Sequence, residues 1–155
     1  MPVKAQAIFK VPPTDEVTRK AMLVGSAFPR EDLFYSEIVP VFKKFLEEQN
    51  KTLENIPECY LSSPEDHKEV ICLEDLRPKG FVMRDRMKQM DFPHISLALR
   101  ALGRLHALSF ALRDQKPDVF AKKIASLPES LYKPEVIADA RFIERFQQLG
   151  DLVKT

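Results

Sequence analysis

The sequence predicts an α+β fold in which a small antiparallel sheet with its helix comes first and a helical half follows. Three observations predict it. Residues 3–11 (VKAQAIFKV) end in β-formers and are closed by Pro12-Pro13, which cannot continue a ladder. Residues 57–62 (PECYLS) and 68–74 (KEVICLE) flank the polar turn Ser63-Pro64-Glu65-Asp66, the pattern of a hairpin. From Asp91 onward, apolar residues recur at helical spacing. A chain of 155 residues, 45% hydrophobic and 30% charged, has the size and balance of one soluble globular domain.

Between the first strand and the hairpin, residues 15–24 read as a weak helix. Pro29 then reads as the opening of a stronger one, with Glu31 and Asp32 in its first turn, where acids complement the positive end of the helix dipole. Leu33, Phe34, Ile38, Val41, Phe42 and Phe45 keep helical spacing, and Pro40 should kink or divide the run. The hairpin strands and the first strand then make a sheet beside the Glu31 helix. Pro78 and Gly80 break the chain and mark a boundary between the sheet-containing and helical halves. Beyond it, Pro93 starts a helix whose stripe is Ile95, Leu99, Leu102, Leu105, Leu108 and Leu112. Pro117 and Pro134 each open another helix, and Val136, Ile137, Phe142, Ile143 and Phe146 supply the last apolar face.

Composition excludes several chemistries. Lys+Arg 24 against Asp+Glu 23 leaves a formal charge of +1, so no net field favours nucleic acid or an acidic membrane. No apolar run approaches the ~20 residues of a membrane helix, the start lacks a signal-peptide stretch, and a cytoplasmic setting is expected. The four glycines (Gly25, Gly80, Gly103, Gly150) stand apart, which excludes GxGxxG and GxxxxGK[ST] phosphate loops. Three histidines and two cysteines form no HExxH, HxH or structural zinc pattern, and there is no GxSxG. Cys59 and Cys72 fall on facing strands and, in a cytosolic setting, read as two reduced core thiols.

Four clusters, in order, bear a resemblance. They are Ile8-Phe9-Lys10-Val11; Phe28-Pro29-Arg30-Glu31 with Phe34-Tyr35 and Pro40; Leu73-Glu74-Asp75-Leu76 with Gly80-Phe81; and Leu102-Gly103-Arg104-Leu105-His106-Ala107-Leu108-Ser109. Together they resemble the insect ecdysteroid-kinase-like (CHK kinase-like) proteins, relatives of choline kinases and aminoglycoside phosphotransferases. The resemblance implies a protein-kinase-like fold. Residues 1–76 would be part of the small lobe, ending in the hinge, and residues 77–155 the beginning of the helical lobe.

It also implies roles. Lys10 matches the strand lysine that offsets triphosphate charge; the bland alternative is a surface strand lysine. Glu31 matches the helix glutamate that pairs with that lysine; the alternatives are a first-turn acid serving the dipole, or Glu37 as the lysine's partner. Leu73, Glu74, Asp75 and Leu76 match the interlobe hinge, where adenine bonds an extended, accessible backbone; a strand end with a turn is the competing reading. His106 sits in an apolar stripe and reads as a packed structural residue. Asp91-Phe92-Pro93 imitates the metal-binding DFG triplet but precedes the LHALS helix and has Pro for Gly, so it is rejected.

By the same resemblance, the expected partners are ATP with Mg²⁺ and a small-molecule alcohol acceptor such as a steroid. No His-x-Asp occurs in the sequence. The reading is therefore a fragment of an ATP-dependent small-molecule kinase that lacks the catalytic and metal-binding loops. The alternative is a non-catalytic kinase-like binding or scaffolding module. Either way, an exposed sheet edge and uncovered apolar helix faces predict self-association.

Overall fold

The computed structural model describes residues 6–125 together with Leu127, Ile143, Glu144, Gln147 and Gln148. Residues 1–125 form one compact unit and residues 126–155 a second. The readings at residues 3–5, Pro134, Val136, Ile137, Phe142 and Phe146 lie outside the described residues.

Strand β1 (Ala7–Lys10) ends before the two prolines, as their missing N–H groups require. The weak helix is shorter than the sequence predicts. Asp15 caps α1 (Glu16–Ala21) by accepting from the Thr18 N–H at 2.8 Å, and the helix stops when Leu23 turns into the left-handed region at φ 53°. That turn restarts the chain as α2 (Val24–Leu33).

Pro29 does not open this helix. It lies inside α2, where its absent N–H would have bonded the carbonyl four residues back, at Gly25. Burial outweighs that loss, because Val24 and Phe28 are one turn apart and both pack against the fully buried Ile71. The predicted break at Pro40 is a wide helical turn, Phe34–Ile38, in the π conformation. It leads into α3 (Val39–Glu47), which has Pro40 in its first turn.

Strands β2 (Cys59–Ser63) and β3 (Val70–Glu74) form the predicted hairpin. The sheet is antiparallel with order β1-β3-β2, so β1 is an edge. Ala7 lies opposite Glu74, and Lys10 opposite Ile71. The β2–β3 register shifts between Cys59 and Leu61. Both cysteines are free thiols, Cys72 buried and Cys59 half-buried.

A second cluster, Ile38, Phe42, Phe45 and Leu112, joins α3 to α4 (Phe92–Gln115). Only the last turns of α4 are covered, at Leu105, Leu108 and Leu112. Phe92, Ile95, Leu97, Leu99, Leu102 and Phe110 are exposed, and so is His106, contrary to its reading as a packed residue. His106 follows the covered Leu105 by about 100° around the helix, which turns it off the packed face. α4 is also long and apolar enough to cross a membrane by length and composition, with a mean hydropathy of 1.3 over 18 residues. Arg100 and Arg104 interrupt the run and hid this in the sequence. Helix α5 (Pro117–Lys123) follows, opened by Pro117 as expected.

Candidate functional site

The site is built where β1 faces α2. Residues directly opposite in an antiparallel pair share a face of the sheet. Lys10, opposite Ile71, therefore stands on the face against which Val24 and Phe28 pack. Glu31 is one helical turn beyond Phe28 and stands on the same side of α2. The Lys10 ammonium donates to Glu31 Oε2, and its nitrogen lies 5.9 Å from the centre of the Phe28 ring. The Lys10 side chain is 52% exposed and that of Glu31 30%, so the pair sits at the surface with one side of the ammonium open to solvent. A cation fixed there and still accessible can take a phosphate oxygen.

Glu31 is not a first-turn acid. It lies in the last turn of α2, from which the helical run continues through Phe34–Ile38 into α3. A helix-dipole role does not account for it there. Glu37 faces elsewhere and accepts from Lys123 of α5. Tyr35, one turn after Glu31, packs against the Val24–Phe28–Ile71 cluster, and burial pushes its phenol above the usual value, with the Glu31 charge adding to this.

The Leu73–Leu76 segment leaves the sheet at the end of β3, but it is not extended throughout. The Glu74 N–H donates to the Glu58 carbonyl at 2.8 Å, and the Asp75 N–H to the Gln6 carbonyl at 3.0 Å. Asp75 is buried, and its carboxylate accepts from the Arg77 N–H at 2.9 Å and from the Arg77 guanidinium at 2.7–3.0 Å. Those bonds to Arg77 hold its carboxyl below the ordinary value. Glu74 pairs with Lys79 at 2.5 Å, which lowers its carboxyl in the same way. The Leu76 carbonyl accepts from the N–H groups of Lys79 and Phe81 (3.0 and 3.3 Å), so the chain curls through the turn Arg77–Lys79 and leaves at Gly80, φ 87°. The extended chain thus ends at Glu74. The turn follows because Asp75 holds Arg77 and Pro78 fixes the next φ. The amides of Glu74, Asp75 and Arg77 and the carbonyl of Leu76 are thus all engaged within the fold.

Asp91 is occupied by structure. It caps α4 by accepting from the His94 N–H at 3.0 Å and pairs with Arg84 at 2.8 Å, and Arg84 and His94 hold its carboxyl far below the usual range. Among the described residues, no group of three or more His, Cys, Asp or Glu side chains is placed to hold a metal.

Sequence reasoning missed the buried ion pair between α1 and the residue just before β3. Arg19 of α1 donates through Nη1 at 3.2 Å and through Nη2 to Glu69, and through Nη2 to Asp66 at 2.9 Å; Arg19 and Glu69 are both buried. Hydrogen bonding to Arg19 holds the Glu69 carboxyl below its ordinary value. The only sequence signal was an arginine on a short polar helix, with its partner fifty positions away.

The model of the ecdysteroid kinase-like family matches residues 3–154 of this chain. No curated protein and no solved structure matches it.

Proposed function

Because this chain belongs to the ecdysteroid kinase-like family, a kinase-like family of small-molecule phosphotransferases, we propose that its first 76 residues form the nucleotide side of a kinase cleft. In this reading the substrates are ATP and a small-molecule alcohol, a steroid such as an ecdysteroid being the class the family name points to. Lys10 holds ATP phosphates, Glu31 orients Lys10, and the chain from Leu73 to Leu76 lines the adenine site. The helical part beginning at Arg77 belongs to the second lobe. The observation that carries the reading is the accessible Lys10 ammonium paired with Glu31 on a strand–helix face.

The donor set fits a polyphosphate: one exposed cation, fixed by a carboxylate and an aromatic ring, offsets phosphate charge by position. Phosphoryl transfer also needs metal-holding carboxylates and a residue that orients the acceptor hydroxyl. The 155 residues contain no His-x-Asp, so the role assigned to these residues is to bind and orient the nucleotide. The second reading is a kinase-like module that binds a partner without catalysis.

Thermal unfolding with and without ATP separates the two. A ligand that binds only the folded state stabilises it by about 2.7 kcal/mol at a hundred times its Kd. The nucleotide reading predicts a Tm that keeps rising with the logarithm of ATP concentration above Kd. An unchanged Tm up to millimolar ATP leaves the scaffolding reading.

A further inference from the structure

We infer that Phe28 is a positioning residue for Lys10: its ring is the floor on which the ammonium is held against Glu31. The inference rests on the nucleotide reading above for its consequence in ATP binding, but not for the contact itself.

A strand lysine on a four-carbon stem has many rotamers, and holding it in one costs conformational entropy. The ion pair with Glu31 lies at the surface and is too weak to fix the side chain alone. Phe28 is different. It is 5% exposed and packed between Val24 and Ile71, so its ring cannot swing away. Ile71 is also the residue opposite Lys10 in the sheet, which places the lysine stem beside the residue that Phe28 covers. The nitrogen lies 5.9 Å from the ring centre, within the ≈6 Å over which a ring's negative face attracts a cation. Phe28 and Glu31 are three residues apart on α2, so one helix face presents floor and counter-ion together. With ring and carboxylate each taking part of the ammonium's surroundings, its remaining protons point to the open side, where a phosphate would bind.

The test keeps the shape of the ring and changes only its electrostatics. Mono-, di- and trifluorophenylalanine are placed at position 28 of the full chain, beside Phe28→Leu and Lys10→Met. The ATP Kd should rise stepwise with fluorination, about two- to fivefold in total for a surface cation–π contact. The denaturant midpoint should stay level across the series. Phe28→Leu should lose the same affinity together with some stability. In NMR spectra, the Lys10 ε-methylene protons should be shifted upfield by the ring and return to ordinary values in Phe28→Leu. If Kd is flat across the fluorinated series while Lys10→Met still loses ATP, Phe28 is a core residue only and the inference is overturned. If Lys10→Met leaves ATP binding unchanged, the nucleotide reading fails, and the ring-current shift alone decides whether Phe28 holds Lys10. An upfield shift then upholds the contact, and its absence overturns it.

Discussion

Replacing Lys10 with Met removes the charge and keeps the apolar stem, which separates a functional lysine from a structural one. The fold should barely respond. Lys10 is 52% and Glu31 30% exposed in their side chains, and surface pairs of this kind contribute about 0–1 kcal/mol. Nucleotide affinity should respond strongly. A hydrogen bond to a charged group contributes about 1.5–3 kcal/mol, so losing the lysine–phosphate contact should raise the ATP Kd about 10- to 150-fold. Two assays on the same preparation decide the matter: urea unfolding for stability and isothermal titration with ATP for affinity. Glu31→Gln should weaken ATP binding in the same direction but less, since it leaves the ammonium in place. An unchanged Kd in Lys10→Met refutes the assigned role. A loss of more than about 2 kcal/mol in stability would refute the premise that the pair is dispensable to the fold.

Three further outcomes follow from particular residues. Glu69→Gln should destabilise the fold at pH 7; because the folded carboxyl lies below its ordinary 4.5, that stabilisation is present above about 4.5 and is lost as pH falls through the folded value. The gap in urea midpoint between wild type and Glu69→Gln should therefore narrow at pH 3, and a gap that does not change with pH contradicts the pairing. Pro29→Ala should stabilise the chain, because an interior proline costs about 3 kcal/mol relative to Ala, less the ~0.4–1 kcal/mol that proline gains by stiffening the unfolded chain. A lower Tm in that variant would refute this, since Pro29 is exposed and its ring has little packing to lose. Finally, Phe92 at 82%, Leu97 at 67% and Leu99 at 61% exposure should drive concentration-dependent self-association, which Leu99→Glu relieves in sedimentation velocity. A compact wild-type monomer counts against it.

The parts of the fold legible in the sequence are those with local causes. The Pro12-Pro13 stop, the polar turn at 63–66, Pro93 near the start of α4, and Pro117 at the start of α5 each act within a few residues, and each element lies near where its signal put it. The start of α2 was not legible, because proline is usually a helix opener and only the tertiary partner Ile71 explains a helix that runs through Pro29. The α4 stripe has correct spacing, but spacing says nothing about which turns find a partner. At the site, periodicity alone gives Lys10 no more than a surface strand position. Its pairing with Glu31 came from a resemblance in motif order, and the choice against Glu37 agrees with the place where Lys123 draws that side chain. The curl after Leu76 depends on side chains two to five residues apart acting together, Asp75 on Arg77 and Glu74 on Lys79, which composition does not reveal.

One ion pair ties α1 to Glu69 just before β3 and another ties α2 to β1, and their difference in burial divides their work. Arg19 and Glu69 are both buried, and removing either partner would strand a charge in a desolvated site, so that pair fixes the placement of α1. Val24 and Phe28 on Ile71 fix α2 by apolar burial. With the helix–sheet geometry held by these contacts, the orientation of Glu31 toward Lys10 is a consequence of the packing. The exposed pair is not needed to produce it. An ion pair that the fold positions but does not depend on can exchange partners, and a phosphate can enter beside Glu31 without loosening the core. The same division explains why β3 is the central strand. It carries Ile71, which anchors the helix, and runs directly into the Asp75–Arg77 turn.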